Sequence, residues 1–200
     1  IDEATLPDVP ERIALAWTAR DALCEAGFNE IGIDHFAWPE DDLCRAYEER
    51  RLHRNFQGYT TDAAETLIGF GASSIGRTRS GHVQNASDNG GWMRAVDAGV
   101  LPVVRGKAFE GEDRLRAGII EELLCYFEVD LARHAADHGY DPAVFDHDLE
   151  RLRPLVREGW VEVDASRRVA IRSYTHEVAR IAAACFDTYL GKAGRHSVAV

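Results

Sequence analysis

The sequence predicts an α/β protein: helix and strand alternate up to about residue 110, and a mostly helical, winged-helix-like domain follows over 111–200. Three observations carry this. An amphipathic segment, 9–26, is closed by Gly27 and followed at once by an apolar run, 28–33, the helix–glycine–strand order of an αβ unit in a parallel sheet. At Gly111 the alternation stops, and an apolar stripe at the helical period takes over in Leu115, Ile119, Ile120, Leu123, Leu124 and Phe127. Two alternating runs, 160–163 and 168–171, then read as a hairpin ahead of the last helix.

In the first helix Pro10 suits the opening turn, Glu11 the positive end of the dipole, and Ile13, Trp17, Leu23 and Cys24 an inward face. Asp34 and His35 stand just past the predicted strand, where α/β sheets and barrels bind ligands; a turn cap and a structural hydrogen bond account for them equally simply. A second helix, 39–51, opens on Glu40, Asp41 and Asp42 and closes on Arg50 and Arg51, an order that complements the macrodipole. Residues 66–72 read as a strand carrying Gly69 and Gly71, 77–90 as an irregular polar stretch, 91–98 as a helix and 102–109 as a strand. Helices follow over 112–127, over 130–138 with Gly139 as stop, and from the cap Asp141 to Arg157 with Phe145, Leu149, Leu152 and Val156 inward. The last helix spans 175–189, and the tail from Gly191 reads as frayed.

The 200 residues are 46% hydrophobic and 28% charged, the composition of an ordinary globular protein with room for a sizeable core. A formal charge of −11 opposes a nucleic-acid partner, which needs a concentrated basic face. No apolar run approaches the ~20 residues that cross a membrane. Cysteines stand at 24, 44, 125 and 185, in no CxxC pair and at no zinc-finger spacing. Cys24, Cys125 and Cys185 read as small apolar residues on helices, and the chain as reduced and cytoplasmic.

Between the second helix and the glycine-bearing strand lies Leu52-His53-Arg54-Asn55-Phe56-Gln57-Gly58-Tyr59-Thr60-Thr61. It concentrates cationic, amide, aromatic and hydroxyl groups with no period of 2 or 3.6, and Gly58 permits a sharp turn or a close approach. The stretch HRNFQGYTT, with the glycine-rich run 69–76 after it, resembles the oxygen-independent coproporphyrinogen III oxidases, radical adenosylmethionine enzymes of haem synthesis. GIDHF at 32–36 and CFDTYL at 185–190 agree.

The resemblance covers essentially the whole chain but matches only the C-terminal portion of such an enzyme. It implies that 1–110 are the closing αβ units of a partial (β/α) barrel, and that the chain is a fragment, inactive alone. It implies S-adenosylmethionine as cofactor and a four-iron four-sulfur cluster, held by a CxxxCxxC loop absent here. Coproporphyrinogen III, the missing N-terminal barrel portion and an electron donor are the implied partners. The chemistry implied is radical removal of hydrogen from a propionate, with loss of carbon dioxide leaving a vinyl. By the resemblance Phe56, Gln57 and Ile75 match adenosylmethionine-contacting positions. His35, His53 and Arg54 are expected at the substrate, and no residue is assigned as a general base. The strand at 28–33, short of a neighbour, is expected to self-associate through its edge. Two other readings stand beside this one. A haem-trafficking paralogue would differ in the segment HRNFQGYTT. A winged-helix interaction module rests on Arg167 and Arg168 at a wing tip.

Overall fold

The computed structural model describes residues 6–190; the tail from Gly191 lies outside them. In chain order the elements begin with α1 (Val9–Glu25), β1 (Asn29–Ile31), β2 (His35–Ala37), α2 (Asp42–Glu48), β3 (His53–Asn55) and β4 (Gly58–Thr60). There follow β5 (Ile75–Thr78), β6 (Gly81–Asn85), α3 (Asn89–Asp97) and β7 (Val103–Ala108). The remainder is α4 (Asp113–Tyr126), β8 (Glu128–Asp130), α5 (Leu131–His138), a 3-10 turn (Pro142–Phe145), α6 (Asp146–Arg157), β9 (Val161–Val163), β10 (Arg168–Ile171) and α7 (Thr175–Ala184). The architecture is mixed α/β, in two compact units: Ile1–Thr61 with Leu115–Val200, and Asp62–Arg114.

The larger unit holds the apolar core. Leu115, Ile119 and Leu123 of α4 meet Leu152 of α6, Val169 of β10 and Val178 of α7, all nearly or fully buried. Phe145 and Phe186 close the core in a T-shaped pair with centroids 6.2 Å apart. An ion pair is sealed into it. The guanidinium of Arg116 donates to Asp148 at 2.9 Å and to the carbonyl of Phe186 at 3.2 Å. A three-stranded antiparallel sheet, in the order β8-β10-β9, lies beside these helices. Side-chain caps start the helices: Asp8 accepts from Glu11 N, Asp41 from Leu43 N and Asp130 from Arg133 N.

Several sequence expectations are corrected. The run 28–33 is no strand of a parallel αβ unit: Gly32, at φ +58°, turns the chain, and β1 pairs antiparallel with β2 from Asn29 opposite Ala37 to Ile31 opposite His35. His35 therefore opens a return strand. The apolar positions of α1 do not form a buried face: no residue of this helix is buried, Trp17 is 46% exposed, and Cys24 is exposed rather than packed. What docks α1 is polar, Trp17 Nε1 to Glu177 and Arg20 to Glu30. The second helix starts only after its cap Asp41 and ends before Arg50, whose φ is +53°. In α6 Leu155 is buried and Val156 exposed, and Asp141 caps the 3-10 turn ahead of that helix.

In the smaller unit β5, β6 and β7 form an antiparallel meander, so the polar stretch 77–90 is largely a hairpin. Its alternation was masked by polar side chains on both faces. The strand expected over 66–72 reduces to one bridge, Leu67 to Arg77. Left-handed Gly71 and Ser73 break it, and Asn85 Nδ2 instead donates to the carbonyls of Gly69 and Gly71 at 3.2 and 3.0 Å.

Candidate functional site

The stretch 52–61 folds into a β-hairpin whose two-residue tip is Phe56 and Gln57. His53 pairs with Thr60, Arg54 with Tyr59 and Asn55 with Gly58. Asn55 makes the turn, its side-chain oxygen accepting from Gln57 N at 2.8 Å and Gly58 N at 3.2 Å. Gly58 sits at φ +139°, and a Cβ there would lie 2.6 Å from Nε2 of His35, so only glycine lets the imidazole rest against the hairpin. The tip projects: Phe56 is 59% exposed and Gln57 is exposed.

Tyr59 anchors the hairpin. Its ring lies over Gly32, where a Cβ would meet the ring at 2.2 Å. Its hydroxyl accepts from Ile33 N at 2.9 Å and donates to the carbonyl of Leu124 at 2.6 Å. Burial pushes the phenol up to about 12, so it holds its proton throughout the ordinary pH range. The ring meets His35 edge-on at 4.9 Å and the guanidinium of Arg54 at 5.3 Å. Glu121 of α4 holds the outer strand, accepting from Arg54 N at 3.0 Å and contacting His53 Nδ1 at 3.1 Å. Arg54 Nε is buried with no hydrogen-bond partner. The carboxylate of Asp34 contacts His35 Nδ1 and receives Arg180 of α7.

A cleft of about 720 Å³ is lined by Arg50, His53, Glu121, Glu122, Arg133 and His134 among others. Its charges are mutually paired, Glu122 with Arg50, Arg133 and His134 and Glu121 with His53. For Glu122, burial pushes the carboxyl up, but hydrogen bonds and charge from His134 and Arg133 outweigh it and hold the group below its ordinary value. Burial raises the Cys125 thiol at the floor to about 12, so it is inert as a nucleophile.

The structure thus brings together five sequence-predicted residues, His35, His53, Arg54, Phe56 and Gln57, all on or against one hairpin. Ile75 lies in β5 of the smaller unit, partly buried. Reasoning from sequence missed Glu121, Tyr59 as anchor, and Arg180. Gly32 and Tyr59 stood inside the quoted motifs, but Glu121 and Arg180 are far away in the chain and had no local signal. Arg167 and Arg168, the pair at the β9–β10 turn, are engaged with Asp146 and Glu128. Among the described residues no group of three His, Cys, Asp or Glu side chains could hold a metal ion, and no helix is long and apolar enough to cross a membrane.

No protein-family model matches the chain. It is 43% identical over 190 residues to the oxygen-independent coproporphyrinogen III oxidase of Bradyrhizobium diazoefficiens, covering 95% of this chain and 42% of that protein. To the protein of the same name from Paracoccus denitrificans it is 41% identical over 203 residues, covering 100% of this chain and 44% of the relative. A solved structure of coproporphyrinogen III oxidase from Escherichia coli, described as a radical SAM enzyme, matches with TM-score 0.85 and 34% identity, over 95% of this chain and 44% of that one. The chain spans less than half the length of these relatives and matches their C-terminal portion. Sequence and fold alike make this chain a match to the C-terminal portion of oxygen-independent coproporphyrinogen III oxidases.

Proposed function

We propose that this chain is the C-terminal part of an oxygen-independent coproporphyrinogen III oxidase and carries the hairpin that faces adenosylmethionine in that enzyme. The supporting observation is similarity over nearly the whole chain, in sequence and in fold, to proteins of that name. On this reading the full protein converts two propionates of coproporphyrinogen III to vinyls, giving protoporphyrinogen IX, in the cytoplasm. The parallel units of a partial (β/α) barrel then belong to the N-terminal portion, which residues 1–110 extend with antiparallel strands, and 111–190 form a winged-helix-like domain from α4–α7 and the sheet β8-β10-β9. Since β1 pairs only with β2 among the described residues, it has an open edge for that portion or for a second copy.

The exposed tip fits adenosylmethionine. The Phe56 ring packs on adenine or on the methionine chain. The Gln57 amide, whose side chain makes no hydrogen bond among the described residues, both donates and accepts, and Ile75 offers backbone groups. Bound there, the cofactor supplies the radical that takes hydrogen from a propionate. His35, His53 and Arg54 serve the substrate. Arg54, which has no carboxylate partner for its guanidinium among the described residues, suits a propionate oxygen best. The residues present do not fit the iron–sulfur cluster: Cys44, Cys125 and Cys185 are buried, and among the described residues no three ligands converge. The cluster and the electron donor are assigned to the rest of the protein. The test is a chimera in which this chain replaces the matching part of the Bradyrhizobium relative. Decarboxylation of coproporphyrinogen III is expected; a folded, cluster-loaded chimera without turnover contradicts the reading.

A further inference from the structure

Arg180 belongs to none of the motifs around the hairpin, yet it reaches the same site from α7. Its guanidinium donates to one oxygen of Asp34 at 2.7 Å, and the other oxygen of that carboxylate lies 2.8 Å from Nδ1 of His35. An ionised carboxylate only accepts, so this contact puts the ring proton on Nδ1 and leaves the neutral ring with a lone pair on Nε2. The edge-on contact with Tyr59, at an interplanar angle of 85°, fixes the ring plane. Nε2 then rests against the bare face of Gly58, two residues from Phe56 at the exposed tip. The side chain is 36% exposed, and Nε2, which no hydrogen bond among the described residues uses, is not sealed from solvent.

We infer that Arg180 is a positioning residue, acting through Asp34 to present Nε2 of His35 as a hydrogen-bond acceptor to an N–H or O–H group of the ligand held at the hairpin. His35 is then a reader of donor groups, and the carboxylates of a ligand fall to Arg54. The functional half rests on the proposed role of His35 at the substrate; the tautomer does not. In water a neutral imidazole prefers its proton on Nε2, so the lock imposes the opposite form and can be seen without turnover. Removing Arg180 frees the carboxylate to rotate away from Nδ1; lysine at that position restores a charged donor.

Nitrogen-15 spectra of histidine-labelled chain, at a pH where the ring is neutral, read the tautomer directly. His35 is expected in the Nδ1–H form in the unaltered chain and in Arg180→Lys, and to move toward Nε2–H in Arg180→Ala and Asp34→Ala. An Nε2–H ring in the unaltered chain, or one tautomer throughout the series, overturns the lock. In the full-length enzyme Arg180→Ala is expected to lower turnover roughly tenfold to a hundredfold through misorientation, with Arg180→Lys retaining most of it. His35→Gln, whose side-chain oxygen reaches the place of Nε2, is expected to outperform His35→Asn, which places its amide nearer Nδ1. A locked tautomer together with full turnover in both His35 variants overturns the ligand contact while leaving the lock established.

Discussion

Tyr59 joins three segments through one hydroxyl: the Gly32 turn, the hairpin and the end of α4. Replacing it with phenylalanine keeps the ring over Gly32 but leaves Ile33 N and the Leu124 carbonyl without this partner, in a place where water does not easily substitute. A loss of about 1–3 kcal/mol is expected, read as an earlier denaturation midpoint with unchanged slope. At the cleft, Glu122 makes stability depend on pH. Its folded value lies below the ordinary 4.5, so its contribution is complete above about that pH and disappears as pH falls through the folded value. The stability gap between the unaltered chain and Glu122→Gln is therefore expected to be widest near neutral pH and to close in acid; denaturant titrations at several pH values check this.

Among the elements, α4 and α6 are pinned by Arg116 and Asp148, whose side chains are 10% and 4% exposed. Asp148→Ala leaves the arginine buried and uncompensated, with an expected cost of about 3–5 kcal/mol, whereas a paired apolar replacement of both residues restores most of it. Thermal melts of the single and double variants distinguish the two. The helices of this part were legible in the sequence because Leu115, Ile119 and Leu123 recur at 3.6 and Gly139 and Gly159 mark stops. Of the strands of 1–110, β7 (Val103–Ala108) matches the expected 102–109, and the others were not legible as they fold. The apolar run 28–33 has the length and flanks of a buried parallel strand, and nothing local says that Gly32 reverses it. In 75–85 the ladder is held by backbone bonds between side chains of no clear alternation. The site was half legible: the hairpin's unusual composition marked it, while Glu121 and Arg180 come from far along the chain.

At the scale of the molecule the two units differ in what holds them. Of the buried apolar residues only Ala86 belongs to Asp62–Arg114, while Ile68, Phe70 and Leu101 are 71%, 88% and 85% exposed. A unit without an apolar core opens at low free energy. Amides of β5–β7 are accordingly expected to exchange hydrogen well before those of α4 and β10, and equal protection in the two units would count against this. The central claim is that the hairpin tip serves adenosylmethionine, and Gln57 tests it most directly. Its side chain is exposed and makes no hydrogen bond among the described residues, so Gln57→Ala in the full-length enzyme should leave the melting temperature unchanged. It should weaken adenosylmethionine binding by about 1–3 kcal/mol, roughly tenfold to a hundredfold. Unchanged cofactor affinity and turnover, with or without a lowered melting temperature, would contradict the account.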